Sequence, residues 1–191
     1  SIGIESQEVM VQTRMTGQPG LLLAKNAAIP LFDHGIAFLP GPNGGRYLDA
    51  TSPESRLGPI PSMDARAVAL RMDNGPAEVV QLPASSPEDH GTNVSWTITL
   101  GADGSGALVG EERAVGDGAF WLRSNLSQAE ARAQYVEDSL VAPWFSTVDV
   151  DKEIDFKGDL PNGEATVKYK ARSRGMARRE GKDLVLGLSP A

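Results

Sequence analysis

Apolar side chains recur at every second position in several short stretches of this chain, which is the spacing of a β-strand with one buried face. Residues 8–14, 31–39 and 67–72 show this alternation in the first part of the sequence. The second of these stretches is followed by the Gly-rich residues 40–45 and then by another short run at 46–50. This order predicts a hairpin of two antiparallel strands joined by a Gly-rich loop.

The second part of the sequence also shows alternation of apolar and polar residues. Alternating runs occupy residues 94–100, 107–114, 147–156 and 164–172. The first two flank a turn signal, so they predict a further hairpin. We therefore expect a mainly β (α+β) protein, with an antiparallel sheet in the first part and a β-sandwich in the second.

One segment of the second part has a helical pattern instead. Ser127 and Glu130 match a capping box, and Pro143 marks a stop after Leu140. Apolar residues follow at helical spacing within it: Ala129, Ala133, Val136 and Leu140. The pattern predicts a single amphipathic helix over 127–140.

A stretch rich in Pro, Ser and Gly, Leu82–Gly91, separates the two parts and has the composition of an exposed connection. We place the domain boundary there and expect domains at residues 1–82 and 83–191. The chain starts at Ser1 and enters a strand-like segment almost at once, so we expect a fragment of a longer protein.

Charge and cysteine content narrow the possible functions. The 191 residues include 18 Lys+Arg against 25 Asp+Glu, a net charge of −7, which disfavours nucleic acid or an anionic membrane as the main partner. No apolar run approaches the roughly 18 residues of a membrane span. The sequence has 0 cysteines, which excludes disulfides and any cysteine nucleophile within it. No cofactor is predicted.

His34 is the imidazole with a candidate role. It alternates with Ile36 and Phe38 along the predicted strand, so its ring is expected on the apolar face and partly buried. If the Gly-rich loop closes the hairpin, Asp49 can face it from the neighbouring strand. A carboxylate that holds an imidazole in one tautomer makes it a competent general base. A His–Asp pair that serves only stability remains the alternative.

The acidic residues Asp149, Asp151, Glu153 and Asp155 fall on one face of a predicted strand, an arrangement that invites comparison with a calcium site. Ile154 occupies the place where an EF-hand-type loop needs Gly, and the alternation with apolar residues favours a half-exposed strand. No metal site is predicted.

The residues around His34 and Asp49 carry a family resemblance. Phe32–Phe38 (FDHGIAF) and Arg46–Thr51 (RYLDAT), joined by a Gly-rich turn, resemble the His and Asp strands of bacterial transglutaminase-like domains, a papain-like Cys-His-Asp family. Ile2–Val11 (IGIESQEVMV) is similar to the strand that follows the catalytic helix in that family. Residues 83–191 resemble the β-rich C-terminal domain of its secreted or periplasmic members. Ala50 stands where the family usually has Pro.

The resemblance implies an acyl-transfer function. His34 would be the general base and Asp49 its orienting carboxylate, while the catalytic Cys would lie outside residues 1–191. The parent would be a cysteine acyltransferase or amidohydrolase acting on a protein or peptide substrate, in the periplasm or outside the cell, and the fragment alone would be inactive. Loss of the covering helix could leave a sheet face exposed, so dimerisation through that sheet is expected.

A second hypothesis assigns no catalysis to the chain. In that case the parent lacks a functional Cys, and the β-sandwich is a non-catalytic interaction module of a cell-envelope protein. A reactive Cys before Ser1 would separate the two hypotheses.

Overall fold

The computed structural model describes residues 3–14, 32–51, 59–73, 75–159 and 163–187. These residues form antiparallel sheets and two α-helices, so the predicted mainly β (α+β) class is confirmed. The chain divides into two compact units, Ser1–Gly91 and Thr92–Ala191. The division follows the last residue of the connection that the sequence indicated at Leu82–Gly91.

The first unit contains one five-stranded antiparallel sheet with the strand order β3-β2-β1-β4-β5. The strands are β1 (Gln7–Gln12), β2 (His34–Leu39), β3 (Arg46–Leu48), β4 (Val68–Met72) and β5 (Glu78–Gln81). The sequence predicted the first four and missed β5, whose four residues are too few to show a period.

The core of the first unit lies on one face of this sheet. Val9 pairs with Ile36 and Val11 pairs with His34 across β1 and β2, so these four side chains share a face. The buried apolar residues that pack there are Val9, Val11, Ile36, Phe38, Ile60, Ala67, Ala69 and Leu82.

The predicted hairpin of β2 and β3 is confirmed, with Phe38 opposite Tyr47. Its turn contains a short 3-10 segment, Pro42–Gly44, followed by Gly45 at φ 80°. A Cβ atom on Gly45 would overlap the ring of Phe38, so this position needs glycine for both its backbone conformation and its space. The hairpin brings Asp49, just after β3, back toward the start of β2.

The second unit has a four-stranded antiparallel path in the order β6-β7-β10-β8, with β9 also paired to β10. Its strands are β6 (Thr92–Leu100), β7 (Gly106–Ala114), β8 (Ser146–Val150), β9 (Asp155–Lys157) and β10 (Ala165–Gly175). A separate two-stranded sheet joins β11 (Ala177–Glu180) and β12 (Asp183–Leu186). The single strand predicted over 147–156 is two strands, because the chain leaves the sheet after Val150 and re-enters at Asp155.

The helical region differs from the prediction. Helix α1 spans Gly116–Leu126, where no helix was expected, and Ser127 closes it by donating its backbone N–H to the carbonyl of Arg123. Ser127 therefore ends one helix and does not cap the start of another, so the capping-box prediction is wrong. The α1 face that packs inward carries Ala119, Leu122 and Leu126, but the exposed Trp121 beside them obscures this pattern in the sequence.

The rest of the predicted helix is a chain of three short pieces. A 3-10 turn at Ala129–Ala131 leads into α2 (Arg132–Tyr135) and then a π-helix at Val136–Val141. No helix in the described part of the chain is long and apolar enough to cross a membrane.

Candidate functional site

His34 opens β2 and lies on the core face of the first sheet, opposite Val11. Its side chain is 13% exposed, so the ring is partly buried and still reachable from solvent. The sequence predicted this placement from the alternation with Ile36 and Phe38.

Asp49 follows β3 and faces His34, as the sequence predicted. Its Oδ2 lies 3.2 Å from His34 Nε2, and its side chain is 7% exposed. The other oxygen, Oδ1, accepts hydrogen bonds from the backbone N–H of Thr51 at 2.9 Å and from the Thr51 hydroxyl at 2.7 Å. These two bonds fix the carboxylate and leave Oδ2 directed at the imidazole.

A third side chain, Asp64, completes the site and was not found from the sequence. Its carboxylate is fully buried, and its Oδ2 lies 3.5 Å from His34 Nε2. Asp64 sits in the turn before β4, where its backbone N–H bonds to the carbonyl of Pro61 and its carbonyl accepts from Ala67. No spacing rule links a turn residue to a strand histidine 30 positions earlier, so only the fold brings them together.

The turn that carries Asp64 is attached to the sheet at two points. The backbone N–H of Arg14, just past β1, donates to the carbonyl of Met63, and that of Arg66 donates to Pro83. Arg66 has φ 60°, a conformation that is costly for a residue with a side chain. The surrounding hydrogen bonds hold the turn, and therefore Asp64, in place against this cost.

The start of β2 is anchored beside the site. Asp33 accepts hydrogen bonds from the backbone N–H of Thr13 and from its hydroxyl, each at 2.8 Å, and its own N–H donates to Val11. Because Asp33 directly precedes His34, these bonds fix the backbone from which the imidazole projects.

Both contacts of His34 with carboxylates are made by Nε2. When Nε2 carries the proton and donates to Asp49, Nδ1 is the nitrogen with the lone pair, and it can accept a proton. The same three groups are also the residue types that ligate metal ions, with ligand atoms all within 4.8 Å of one another. The site can therefore serve as an oriented base or as a metal-binding group.

The second unit holds a different polar cluster in its core. The indole N–H of Trp96 donates to the hydroxyl of Tyr169 at 2.9 Å, and that hydroxyl donates to Glu112 at 3.0 Å. Glu112 is 5% exposed, and burial raises the pKa of its carboxyl above the usual value. Burial likewise raises the pKa of Tyr169 and, together with the charge of Glu112, that of Tyr135. Sequence reasoning missed this cluster because Glu112 occupies a strand position among ordinary charged residues.

The acidic residues between 149 and 155 lie in β8, in β9 and in the link between them. Asp149 pairs with Arg172 across the sheet, and the backbone N–H of Asp151 donates to Lys170. In the part of the chain that the structure describes, the group with metal-ligand spacing is His34, Asp49 and Asp64.

No protein-family model, curated protein or solved structure matches this chain. The resemblance to transglutaminase-like domains therefore rests on the residues around His34 and Asp49, and it stays a prediction.

Proposed function

We propose that residues 1–82 supply the His and Asp of a transglutaminase-like Cys-His-Asp site, with His34 as general base and Asp49 as its orienting carboxylate. The observation that carries this proposal is the contact between His34 Nε2 and Asp49 Oδ2 at 3.2 Å. The nucleophilic thiol would come from outside residues 1–191, because the sequence has 0 cysteines. The chain alone would be inactive.

The geometry supports this role in a second way. Asp49 is held by Thr51, and the backbone next to His34 is held by Thr13, so the pair does not depend on its own contact for position. A base that surrounding hydrogen bonds already hold in position needs little reorientation when it takes up a proton, so the reorganisation adds little to the free-energy barrier of the reaction. The orientation leaves Nδ1 as the nitrogen for proton transfer.

The reaction would proceed by proton transfer and acyl exchange. His34 Nδ1 would take the proton of the cysteine thiol, and the thiolate would attack an amide carbonyl of a protein or peptide substrate. The imidazolium would then return that proton to the departing amine, leaving a thioester on the cysteine. Water would complete hydrolysis, whereas a second amine would complete cross-linking.

Alkylation of the longer parent protein tests the proposal. We expect one cysteine to react quickly with iodoacetamide, and we expect His34→Ala to slow that reaction by at least about tenfold, because the thiolate fraction depends on the imidazole. Peptide mapping by mass spectrometry would identify the residue. His90→Ala is the matched control, since it removes the other of the 2 histidines and should leave the rate unchanged.

An equal alkylation rate in the parent and in His34→Ala would contradict the proposal, as would a parent with no reactive cysteine. Either outcome would favour the second hypothesis, a non-catalytic β-sandwich module of a cell-envelope protein. The periplasmic or extracellular location is part of the same proposal and follows from the resemblance.

A further inference from the structure

We propose that His34, Asp49 and Asp64 form a binding site for a divalent first-row transition metal, with Zn²⁺ as the reference ion. The ligand atoms would be His34 Nε2 and one carboxylate oxygen from each aspartate. This inference uses no thiol and stands independently of the acyl-transfer proposal, although the two share His34 and Asp49.

The distances suit such an ion. With metal–ligand bonds of about 2.0–2.1 Å, two ligand atoms of a tetrahedral site lie roughly 3.4 Å apart. His34 Nε2 is 3.2 Å from Asp49 Oδ2 and 3.5 Å from Asp64 Oδ2. All three ligand atoms lie within 4.8 Å of one another, so the two aspartate oxygens would move together by at most about 1.4 Å to reach tetrahedral spacing around an ion.

A proton on His34 Nε2 and a metal ion would join different numbers of these groups. A single imidazole nitrogen carries at most one hydrogen, and only the contact with Asp49 has the geometry of a hydrogen bond. A proton on Nε2 therefore serves one of the two carboxylates that approach it. A metal ion at the centre would serve the nitrogen and both carboxylates at once.

The donor set also indicates which ions fit. Imidazole with carboxylates suits zinc and its neighbours in the first transition row, whereas calcium and magnesium prefer oxygen ligands alone. Three protein ligands leave a fourth tetrahedral position open, and the partial exposure of His34 gives it access to solvent. Thr51 would orient Asp49 as an outer-sphere partner.

Metal binding and base catalysis exclude each other at this imidazole. A neutral His34 bound through Nε2 carries its hydrogen on Nδ1, so it has no lone pair for a thiol proton. Zinc would therefore suppress the alkylation that depends on His34. For this reason, the alkylation test belongs in a chelator-containing buffer, where its result is independent of the metal.

Titration calorimetry on the chelator-treated 191-residue chain tests the site. We expect one zinc ion per chain, with at least about tenfold weaker binding in Asp64→Asn and in Asp49→Asn, since each replaces a ligand with a near-isosteric neutral amide. His90→Gln is the matched control and should bind like the wild type. In NMR spectra of the two imidazoles, zinc should shift the His34 ring resonances and leave those of His90 unchanged.

The site would be overturned by the absence of stoichiometric binding, by wild-type affinity in both Asn variants, or by equal loss in His90→Gln. Circular dichroism checks that each variant is folded. If Asp64→Asn unfolds, Asp49→Asn and the His34 resonances still decide the matter. Failure of zinc binding would leave the alkylation result intact, so the two proposals fail separately.

Discussion

Glu112 shows what a single buried carboxyl group does to the second unit. It points into the core from β7, while its neighbour Glu111 points to the exposed face and pairs with Lys168 at 3.2 Å. The hydroxyl of Tyr169 donates to Glu112, which favours the ionised form, but burial is the larger effect and raises the carboxyl pKa. Ionisation of Glu112 therefore has a cost to the fold that comes from its burial.

The contribution of Glu112 to the free energy of unfolding should therefore depend on pH. Because the pKa of Glu112 in the folded state lies above its unfolded value of about 4.5, the folded state binds more protons between those two values. The free energy of unfolding should therefore contain a contribution that is fully present below the unfolded pKa and is lost as pH rises through the folded pKa. Glu112→Gln should lack this loss, since the amide keeps an acceptor for Tyr169 and does not titrate.

Urea unfolding at a series of pH values measures the effect. Glu111→Gln is the control, because it makes the same substitution at the neighbouring residue, whose side chain is 48% exposed. Parallel profiles for the wild type and Glu112→Gln would show that Glu112 ionises in the fold without a penalty.

The candidate site was predictable only where its residues share a sheet. Alternation placed His34 on the buried face, and the Gly-rich turn returned Asp49 to it, because both effects are local along the chain. Asp64 reaches the same imidazole through a turn that is held by Met63 and Arg66, and nothing in the residue spacing encodes that attachment. Its place depends on tertiary contacts.

The helical region between β7 and β8 shows where a periodic pattern misleads. A regular α-helix places residues four apart on one face, which predicted that Leu140 follows Val136 into the core. The structure buries Val136 and Val141 instead, five residues apart. The backbone N–H of Ala142 donates to the carbonyl of Glu137, the spacing of a π-helix, and this wider turn moves the inward position by one residue.

Because of this shift, we expect Val141→Ala to destabilise the chain more than Leu140→Ala, the reverse of the order that a regular α-helix would give. Val141→Ala removes two fully buried methyl groups and should destabilise the chain by about 2 kcal/mol, from ~0.8 kcal/mol per buried carbon plus a cavity term. Leu140→Ala removes a larger side chain, but one that is only half-buried, so it should lower the free energy of unfolding by less than Val141→Ala does. Chemical denaturation of both variants gives the comparison. A greater loss for Leu140→Ala would mean that the segment packs as an ordinary α-helix in solution.

Each unit has its own core cluster among the residues that the structure describes. One core cluster contains residues from Val9 to Leu82 and the other contains residues from Leu108 to Met176, so neither cluster draws on both units. The composition of Leu82–Gly91 led us to expect a boundary after residue 82, whereas the two units divide after Gly91. Dimerisation through the first sheet stays a prediction, and light scattering of the 191-residue chain would test it.

Because each unit has its own core, we expect the two units to unfold independently. The positions of the tryptophans allow the unfolding of one unit to be measured by itself. Trp96, Trp121 and Trp144 all belong to the second unit, so tryptophan fluorescence reports on that unit alone. Val11→Ala, in the core of the first unit, should destabilise that unit by roughly 2 kcal/mol and speed amide exchange in β1 and β4, yet leave the fluorescence midpoint unchanged. Leu126→Ala is the reciprocal variant and should lower the fluorescence midpoint without changing exchange in β1. A shift of the fluorescence midpoint in Val11→Ala would mean that the units unfold as one cooperative body, and the His34 site would then depend on the stability of both.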